Sequence, residues 1–232
     1  MTLFAILALG FFLGMRHATD SDHVIAVTTI VSRARSARAA LWVGALWGLG
    51  HSATILTVGG AIVLFGWVIP PRLGLSMEMS VAVMLIVLGA MNLSGALSRI
   101  NQIAHQHRHA ELDESPVPHV HVRGPLRPLV IGIVHGLAGS AAVALLVLAT
   151  IKSASMALVY LAIFGAGTVA GMMLLTLAMA LPISALSRRF DNVEHQLARV
   201  TGLVSIAFGL FLAYRIGIAD GLFLGAAHWA PR

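Results

Sequence analysis

The sequence predicts an all-α membrane protein with six transmembrane helices arranged as two inverted three-helix repeats. Of its 232 residues, 58% are hydrophobic and 10% are charged, whereas soluble domains have about 25% charged residues. The hydrophobic residues occur in runs of helical length, without the ten-residue alternation of a membrane barrel. Composition and run length predict the class, and an internal similarity predicts the repeat.

Six apolar segments predict the spans, each of which needs about 20 residues. They cover residues 3–31, 40–66, 77–97, 128–150, 155–183 and 199–218. The first segment is long enough only if a polar motif around His17 lies inside it, because residues 3–14 alone are too short. We therefore expect that motif at the middle of the bilayer.

The basic residues predict the topology. Ten lie in the loops after the first, third and fifth segments: Arg33, Arg35, Arg38, Arg99, Arg108, Arg123, Arg127, Arg188, Arg189 and Arg199. Four lie on the opposite side: Arg72, Lys152, Arg215 and Arg232. We expect the protein in a bacterial inner membrane, with the arginine-rich loops on the cytoplasmic side and both termini on the outer side. The net charge of +6 then reflects orientation in the lipid bilayer, so we expect no nucleic-acid partner.

Two similar stretches predict the repeat. GMRHATDSDHVIAV at 14–27 aligns with GIVHGLAGSAAVAL at 132–145 at an offset of 118, and GLGHS at 48–52 aligns with GAGTV at 165–169 at an offset of 117. Chance agreement among small residues is the alternative. Because three spans is an odd number, the second copy must enter the membrane from the other side, as in many secondary transporters.

Three parts of the chain follow from this alignment. Residues 1–97 form the first repeat, 98–127 a histidine-rich cytoplasmic loop, and 128–232 the second repeat. Glycines four residues apart also predict close helix packing. The pairs are Gly10 and Gly14, Gly44 and Gly48, Gly132 and Gly136, and Gly167 and Gly171.

The motif RHATDSDH at 16–23 is costly in a bilayer. Arg16, Asp20 and Asp22 together oppose insertion by roughly 8–10 kcal/mol before any pairing. Such groups inside a membrane are functional-site candidates. The alternative is that Arg16 pairs with Asp20 and only holds helices together, which would leave the histidines unexplained.

Helical geometry narrows the choice of residues that could bind one metal ion together. On a regular helix His17, Asp20 and His23 lie within an arc of about 120°. Asp22 lies about 140° from His17, where it would orient a histidine or bind from a second helix. A break of the helix at residues 19–21 would change this assignment, and broken helices are common at such sites.

Two further histidines lie inside predicted spans, His51 in the second and His135 in the fourth. Either one alone is equally consistent with a hydrogen bond to a neighbouring helix. Together with the first motif they favour a pathway for a divalent cation. Imidazole and carboxylate without sulfur suit Ni²⁺, Co²⁺ or Zn²⁺ better than Cu⁺, and Mg²⁺ or Ca²⁺ would favour oxygen alone.

Other polar residues are weaker candidates. Residues that could support the ligands are Arg16, Ser52, Asn92 and Thr168, and for Asn92 a hydrogen bond between helices is equally expected. The histidine-rich loop at 98–127 is either a solvated linker or a cytoplasmic site that collects a transition metal. Its histidines are His105, His107, His109, His119 and His121.

Several kinds of chemistry are excluded or not indicated. The sequence has no cysteine, which excludes disulfides, thiolate metal sites and thiol redox relays. It has no HExxH, G-x-S-x-G or P-loop lysine pattern. We therefore expect no enzyme, no catalytic cofactor and no ATP hydrolysis.

The first motif resembles the His-x4-Asp-His signature of the nickel/cobalt transporter family, often called NiCoT. GLGHS resembles that family's second-span motif, and GIVHGLAGSAAVALL resembles the fourth-span motif of its six-span relatives described as urease-accessory proteins or nickel permeases. The resemblance implies uptake of Ni²⁺ or Co²⁺, with His17, Asp22 and His23 as signature positions and His51 as a participant. Longer family members have eight spans, and Ser21 stands where the family usually has alanine.

These observations predict a permease that moves Ni²⁺ or Co²⁺ into the cytoplasm. Its metal ligands would be His17, Asp20, Asp22, His23, His51 and His135. Proteins that mature nickel or cobalt enzymes are the expected protein partners. The alternatives are an exporter of the same metals and, less favoured, an intramembrane metalloenzyme that activates water.

Overall fold

The fold is a bundle of helices in the computed structural model of the chain. The residues that the structure describes are 3–31, 36–67, 69–95, 126–137, 151, 153–187, 193–225 and 227–229. Within these ranges the α-helices are α1 (Leu3–His17), α2 (Ser21–Val31), α3 (Ala37–Phe65), α4 (Pro71–Leu93), α5 (Leu126–Gly136), α6 (Ala154–Ser187) and α7 (Val193–Tyr214), and a π-helical turn (Arg215–Ala219) follows α7.

The first predicted span is broken at its polar motif into α1 and α2. Thr, Asp and Ser side chains compete with the helical backbone for hydrogen bonds, which disfavours them inside a helix. Thr19 shows this competition, because its amide and its hydroxyl both donate to the carbonyl of Arg16, at 2.8 and 2.6 Å. The amide of Val24 then donates to the carbonyl of Asp20 at 3.0 Å as α2 begins. The break leaves His17 at the end of one helix and His23 in the first turn of the next.

The ends of α3 and α4 follow from local chemistry. Ser36 caps α3 by accepting a hydrogen bond from the amide of Ala39 at 3.2 Å. Gly66 ends that helix with a φ of 63°, a left-handed conformation that glycine adopts without steric cost. Pro71 starts α4, where its fixed φ suits the first helical position. This start lies six residues before the predicted one at 77.

The chain is a multi-pass membrane protein. Within the described ranges, four helical stretches are long and apolar enough to cross a membrane: 37–65, 71–93, 154–186 and 195–219. Large apolar side chains also face outward, among them Phe12, Leu49, Val87, Leu174 and Leu203, as expected of surfaces that contact lipid. The helices α1, α2 and α5 are shorter, and residues 138–150 of the predicted fourth span lie outside the described residues. Six crossings therefore stay a prediction.

Glycines let the helices approach closely, as the glycine pairs predicted. The most extensive packing joins α3 to α6, α4 to α7, α1 to α6, and α3 to α5. A Cβ atom on Gly14 would clash with the backbone carbonyl of Phe164 in α6, and one on Gly132 would clash with that of Trp47 in α3. These two contacts bring α1 and α5, the helices that carry His17 and His135, against the centre of the bundle.

Candidate metal centre

The helix break and two neighbouring helices bring four histidines together. His17 ends α1, His23 lies in the first turn of α2, His51 lies near the middle of α3, and His135 precedes the last residue of α5. His23, His51 and His135 are fully buried, and His17 is 6% exposed. The ring centroid of His23 lies 4.8 Å from that of His17, 5.0 Å from that of His51 and 4.2 Å from that of His135. His23 is thus the centre of the cluster.

His17 connects a partly exposed carboxylate to the interior. Its Nδ1 lies 2.8 Å from Oδ2 of Asp20, whose side chain is 43% exposed. An ionised carboxylate only accepts hydrogen bonds, so Nδ1 carries the proton and Nε2 keeps its lone pair. That Nε2 lies 2.9 Å from Nε2 of His51. Asp20 therefore turns the lone pair of His17 toward the other histidines, an arrangement typical of metal-ligating histidines.

Asp22 joins two histidines from different helices. Its Oδ1 accepts from the amide of His23 at 3.0 Å and from Nδ1 of the same residue at 3.1 Å. Its Oδ2 accepts from Nε2 of His135 at 3.0 Å. Both rings then present their other nitrogen as a lone pair. The carboxylate is 16% exposed, so its negative charge is held next to buried imidazoles.

Three ring nitrogens in the cluster have no hydrogen-bond partner among the described residues: Nε2 of His23, Nδ1 of His51 and Nδ1 of His135. Buried polar atoms are normally hydrogen-bonded, so these three suggest a ligand. Two sets of residues place one ligand atom each within 4.8 Å of the others: His17 with His23 and His51, and Asp22 with His23 and His135. Such donors fit a borderline transition-metal ion.

The break changes the ligand geometry expected for a regular helix. That geometry placed Asp20 with His17 and His23, and placed Asp22 apart from them. In the structure Asp20 contacts His17 from the more exposed side and belongs to neither set, whereas Asp22 belongs to one. The alternative of an Arg16–Asp20 pair is also wrong, because Arg16 is exposed and forms no ion pair with Asp20 within the described part of the chain.

Hydrogen bonds of three weaker candidates, Ser52, Asn92 and Thr168, join them to backbone carbonyls or to a hydroxyl group. Ser52 donates to the carbonyl of Gly165 at 3.0 Å, and Thr168 donates to that of Phe164 at 3.0 Å. The amide of Asn92 donates to the carbonyl of Thr29 and to the hydroxyl of Thr201, at 3.4 and 3.1 Å. These bonds join helices or satisfy the helix itself. The five loop histidines, 105, 107, 109, 119 and 121, lie outside the described residues.

Two aromatic residues that the sequence analysis did not identify pack against the histidines. Trp47 is fully buried, stacks on His23 with ring centroids 6.2 Å apart, and meets His135 edge-on at 5.6 Å. Phe164 packs against His17 with centroids 5.6 Å apart. One available signal was the position of Trp47, four residues before His51 and hence on the same face of α3. The two rings therefore form apolar walls beside the histidines.

Comparisons with known proteins agree with a membrane protein. Residues 24–211 match the family described as "Cytochrome C biogenesis protein transmembrane region". The chain is 37% identical over 230 residues to the urease accessory protein UreH of Bacillus sp. (strain TB-90), covering 95% of this chain and 96% of that protein. It is 29% identical over 208 residues to the chloroplast protein FOR GROWTH AND FERTILITY 2 of Arabidopsis thaliana, covering 87% of this chain and 54% of that protein.

No solved structure matches the chain significantly. The match to the family covers most of the sequence, and it agrees with the long apolar helices described above. Because the sequence has no cysteine, the candidate metal centre contains no thiol group. By the extent of the family match and by its similarity to UreH, this chain belongs to the cytochrome C biogenesis protein transmembrane region family.

Proposed function

We propose that the chain is a permease that moves Ni²⁺ or Co²⁺ across a bacterial inner membrane into the cytoplasm. The observation that carries this proposal is the meeting of four buried histidines and Asp22 at the break of a membrane helix. Buried imidazoles and a carboxylate can replace the water of a divalent ion, and they are expensive to keep in a bilayer without such a role.

The choice of metal is supported by the relatives and by the ligands. The similar Bacillus protein is named a urease accessory protein, and urease is a nickel enzyme. The His-x4-Asp-His spacing of His17, Asp22 and His23 matches the signature of nickel and cobalt transporters. Nitrogen and carboxylate oxygen without sulfur suit both ions. On this proposal the protein partners are those that mature nickel or cobalt enzymes.

Helix contacts support two inverted repeats, 1–97 and 128–232, linked by 98–127. The sequence alignment pairs Gly14 with Gly132 at the offset of 118, and it pairs Trp47 with Phe164 at the offset of 117. The contact of Gly14 with Phe164 in the structure therefore corresponds to the contact of Gly132 with Trp47. The contact of Gly167 with the carbonyl of Phe11 likewise becomes that of Gly50 with the carbonyl of Leu129. Contacts that exchange in this way are expected of two copies related by a pseudo-two-fold axis.

The energy for uptake need not come from ATP. An inside-negative potential of about 100 mV supplies about 4.6 kcal/mol for an ion of two charges. The proposed orientation places the arginine-rich loops inside and both termini outside. The negative charges of Asp20 and Asp22 offset part of the cost of dehydrating the ion.

Flux measured with purified protein in liposomes tests the proposal. Proteoliposomes with an inside-negative potential should accumulate ⁶³Ni²⁺, and excess Co²⁺ should compete. The His17→Ala variant should lose the flux, whereas His195→Ala should keep it, because His195 is exposed on α7 away from the cluster. Equal accumulation by wild type and His17→Ala, or by empty liposomes, would refute the proposal.

The direction of transport needs a separate test in cells. Deleting an importer should starve a nickel or cobalt enzyme, whereas deleting an exporter should make cells sensitive to nickel. If the deletion makes cells sensitive to nickel without starving a nickel or cobalt enzyme, the protein is an exporter. The proposed metal site would then stand, and the proposed direction of transport would be wrong.

A further inference from the structure

We infer that the transported ion occupies two adjacent positions in turn and that His23 passes it between them. One position is held by His17, His23 and His51, and the other by Asp22, His23 and His135. This inference rests on the proposed function and deepens it, because it concerns how many positions the site contains.

The ligands divide into two sets instead of surrounding one point. Each set has its ligand atoms within 4.8 Å of one another, and no set of four such residues meets this limit within the described part of the chain. The ring centroids of His51 and His135 are 6.0 Å apart, whereas His23 lies closer to both. One ion therefore cannot take all these ligands without rearrangement.

His23 is suited to belong to both sets. It is fully buried, and its Nε2 has no hydrogen-bond partner among the described residues. An ion held by three protein ligands keeps room for another ligand, so a residue of the second set can bind before one of the first set leaves. A neutral imidazole has a single lone pair available, so His23 holds one ion at a time and the two positions are occupied in turn.

The two positions differ in charge. The first consists of three imidazoles, which carry no charge when they bind a metal ion, whereas the second includes the carboxylate of Asp22. A doubly charged ion is attracted more strongly to the position with the carboxylate. We therefore expect an ion at equilibrium to rest mainly with Asp22, His23 and His135.

Binding of ⁶³Ni²⁺ to purified variants tests the two positions. We expect His51→Ala and His135→Ala each to retain one bound ion, weakened by at most about tenfold, because the other position remains. The double variant should lose more affinity than the product of the two single losses. His23→Ala, which removes a ligand from both positions, should resemble the double variant.

Flux distinguishes passage between positions from simple binding. In proteoliposomes the ⁶³Ni²⁺ flux of His51→Ala and of His135→Ala should be at least about tenfold lower than that of wild type, although each variant still binds the ion. His195→Ala is the matched control and should behave as wild type in both assays. His51→Gln and His135→Gln replace any alanine variant that does not elute as a single folded species.

Two outcomes overturn the inference. A double-variant loss equal to or smaller than the product of the single losses indicates one composite position. Wild-type flux in His51→Ala or His135→Ala shows that one set is not used. If wild type gives no flux at all but the binding losses exceed the product, the proposed transport fails while the two positions stand, so the two claims are separable.

Discussion

The indole ring of Trp47 lies nearly parallel to the imidazole of His23, with their planes 19° apart. The same indole meets His135 edge-on, so one aromatic side chain contacts a residue common to both ligand sets and a residue of the second set. Trp47 is therefore both a wall of the site and a natural reporter of its occupancy.

Binding of Ni²⁺ or Co²⁺ should quench the fluorescence of Trp47, because both ions have partly filled d shells and would lie against the indole. The sequence contains four tryptophans, so the signal must be assigned by substitution. Trp47→Phe should remove most of the metal-dependent quenching. Trp42→Phe is the matched control, since Trp42 is 60% exposed, and it should leave the quenching unchanged. Unchanged quenching in Trp47→Phe would contradict the placement of the ion.

The two aspartates should contribute unequally to metal affinity. Asp20→Asn removes only the carboxylate that orients His17, and we expect about tenfold weaker ⁶³Ni²⁺ binding. Asp22→Asn removes an acceptor shared by His23 and His135, and we expect about a hundredfold weaker ⁶³Ni²⁺ binding. Asp220→Asn, at the end of the π-helical turn, makes the same chemical change far along the chain and should bind as wild type. The reverse order for Asp20 and Asp22 would show that Asp20 is the direct ligand.

A methyl group at one of the closest helix crossings should destabilise the protein. Gly14→Ala places a Cβ against the backbone of Phe164, which cannot move aside as a flexible side chain can, so we expect a loss of about 1–3 kcal/mol in the free energy of unfolding. At Gly60 the nearest atom to an added Cβ is Cδ2 of Leu158 at 3.7 Å, an ordinary contact. Thermal unfolding in detergent should therefore show a lower midpoint for Gly14→Ala and not for Gly60→Ala. Equal midpoints would contradict the close crossing.

Metal uptake should weaken in acid because an imidazole must be neutral to bind a metal. Protonation of a ligand imidazole removes its lone pair and adds positive charge beside the ion. We expect the initial rate of ⁶³Ni²⁺ uptake to be lower in an acidic medium than at neutral pH. The membrane potential is held constant with an ionophore so that only the ligands respond. Equal rates at both pH values would argue against imidazole ligands.

The sequence was enough to predict which segments carry the clustered histidines, and part of how those segments meet. Histidines and aspartates inside apolar segments are costly, which identified all four clustered histidines and both aspartates. The position of His135 inside the fourth predicted span made it a predicted ligand as well. The glycine pairs predicted close crossings that the structure contains.

The ligand grouping was not predictable, because it depends on where the helix breaks. A regular helix would group Asp20 with His23, and only the backbone turn at residues 18–20 brings Asp22 to His135 instead. Trp47 was missed because a tryptophan in an apolar segment is ordinary by composition. Asn92 was predicted with two equal alternatives, and its bonds to Thr29 and Thr201 show that it joins helices.

Those two bonds of Asn92 have a mechanical consequence. They fasten the far end of α2 to α4 and α7, while its near end carries Asp22 and His23. His17 and His51 instead belong to helices that pack with α6, and His135 belongs to a helix that packs with α3. The short helix α2 thus connects the Asn92 bonds at one end to Asp22 and His23 at the other, so we expect a shift of α4 relative to α2 to be felt at the histidines.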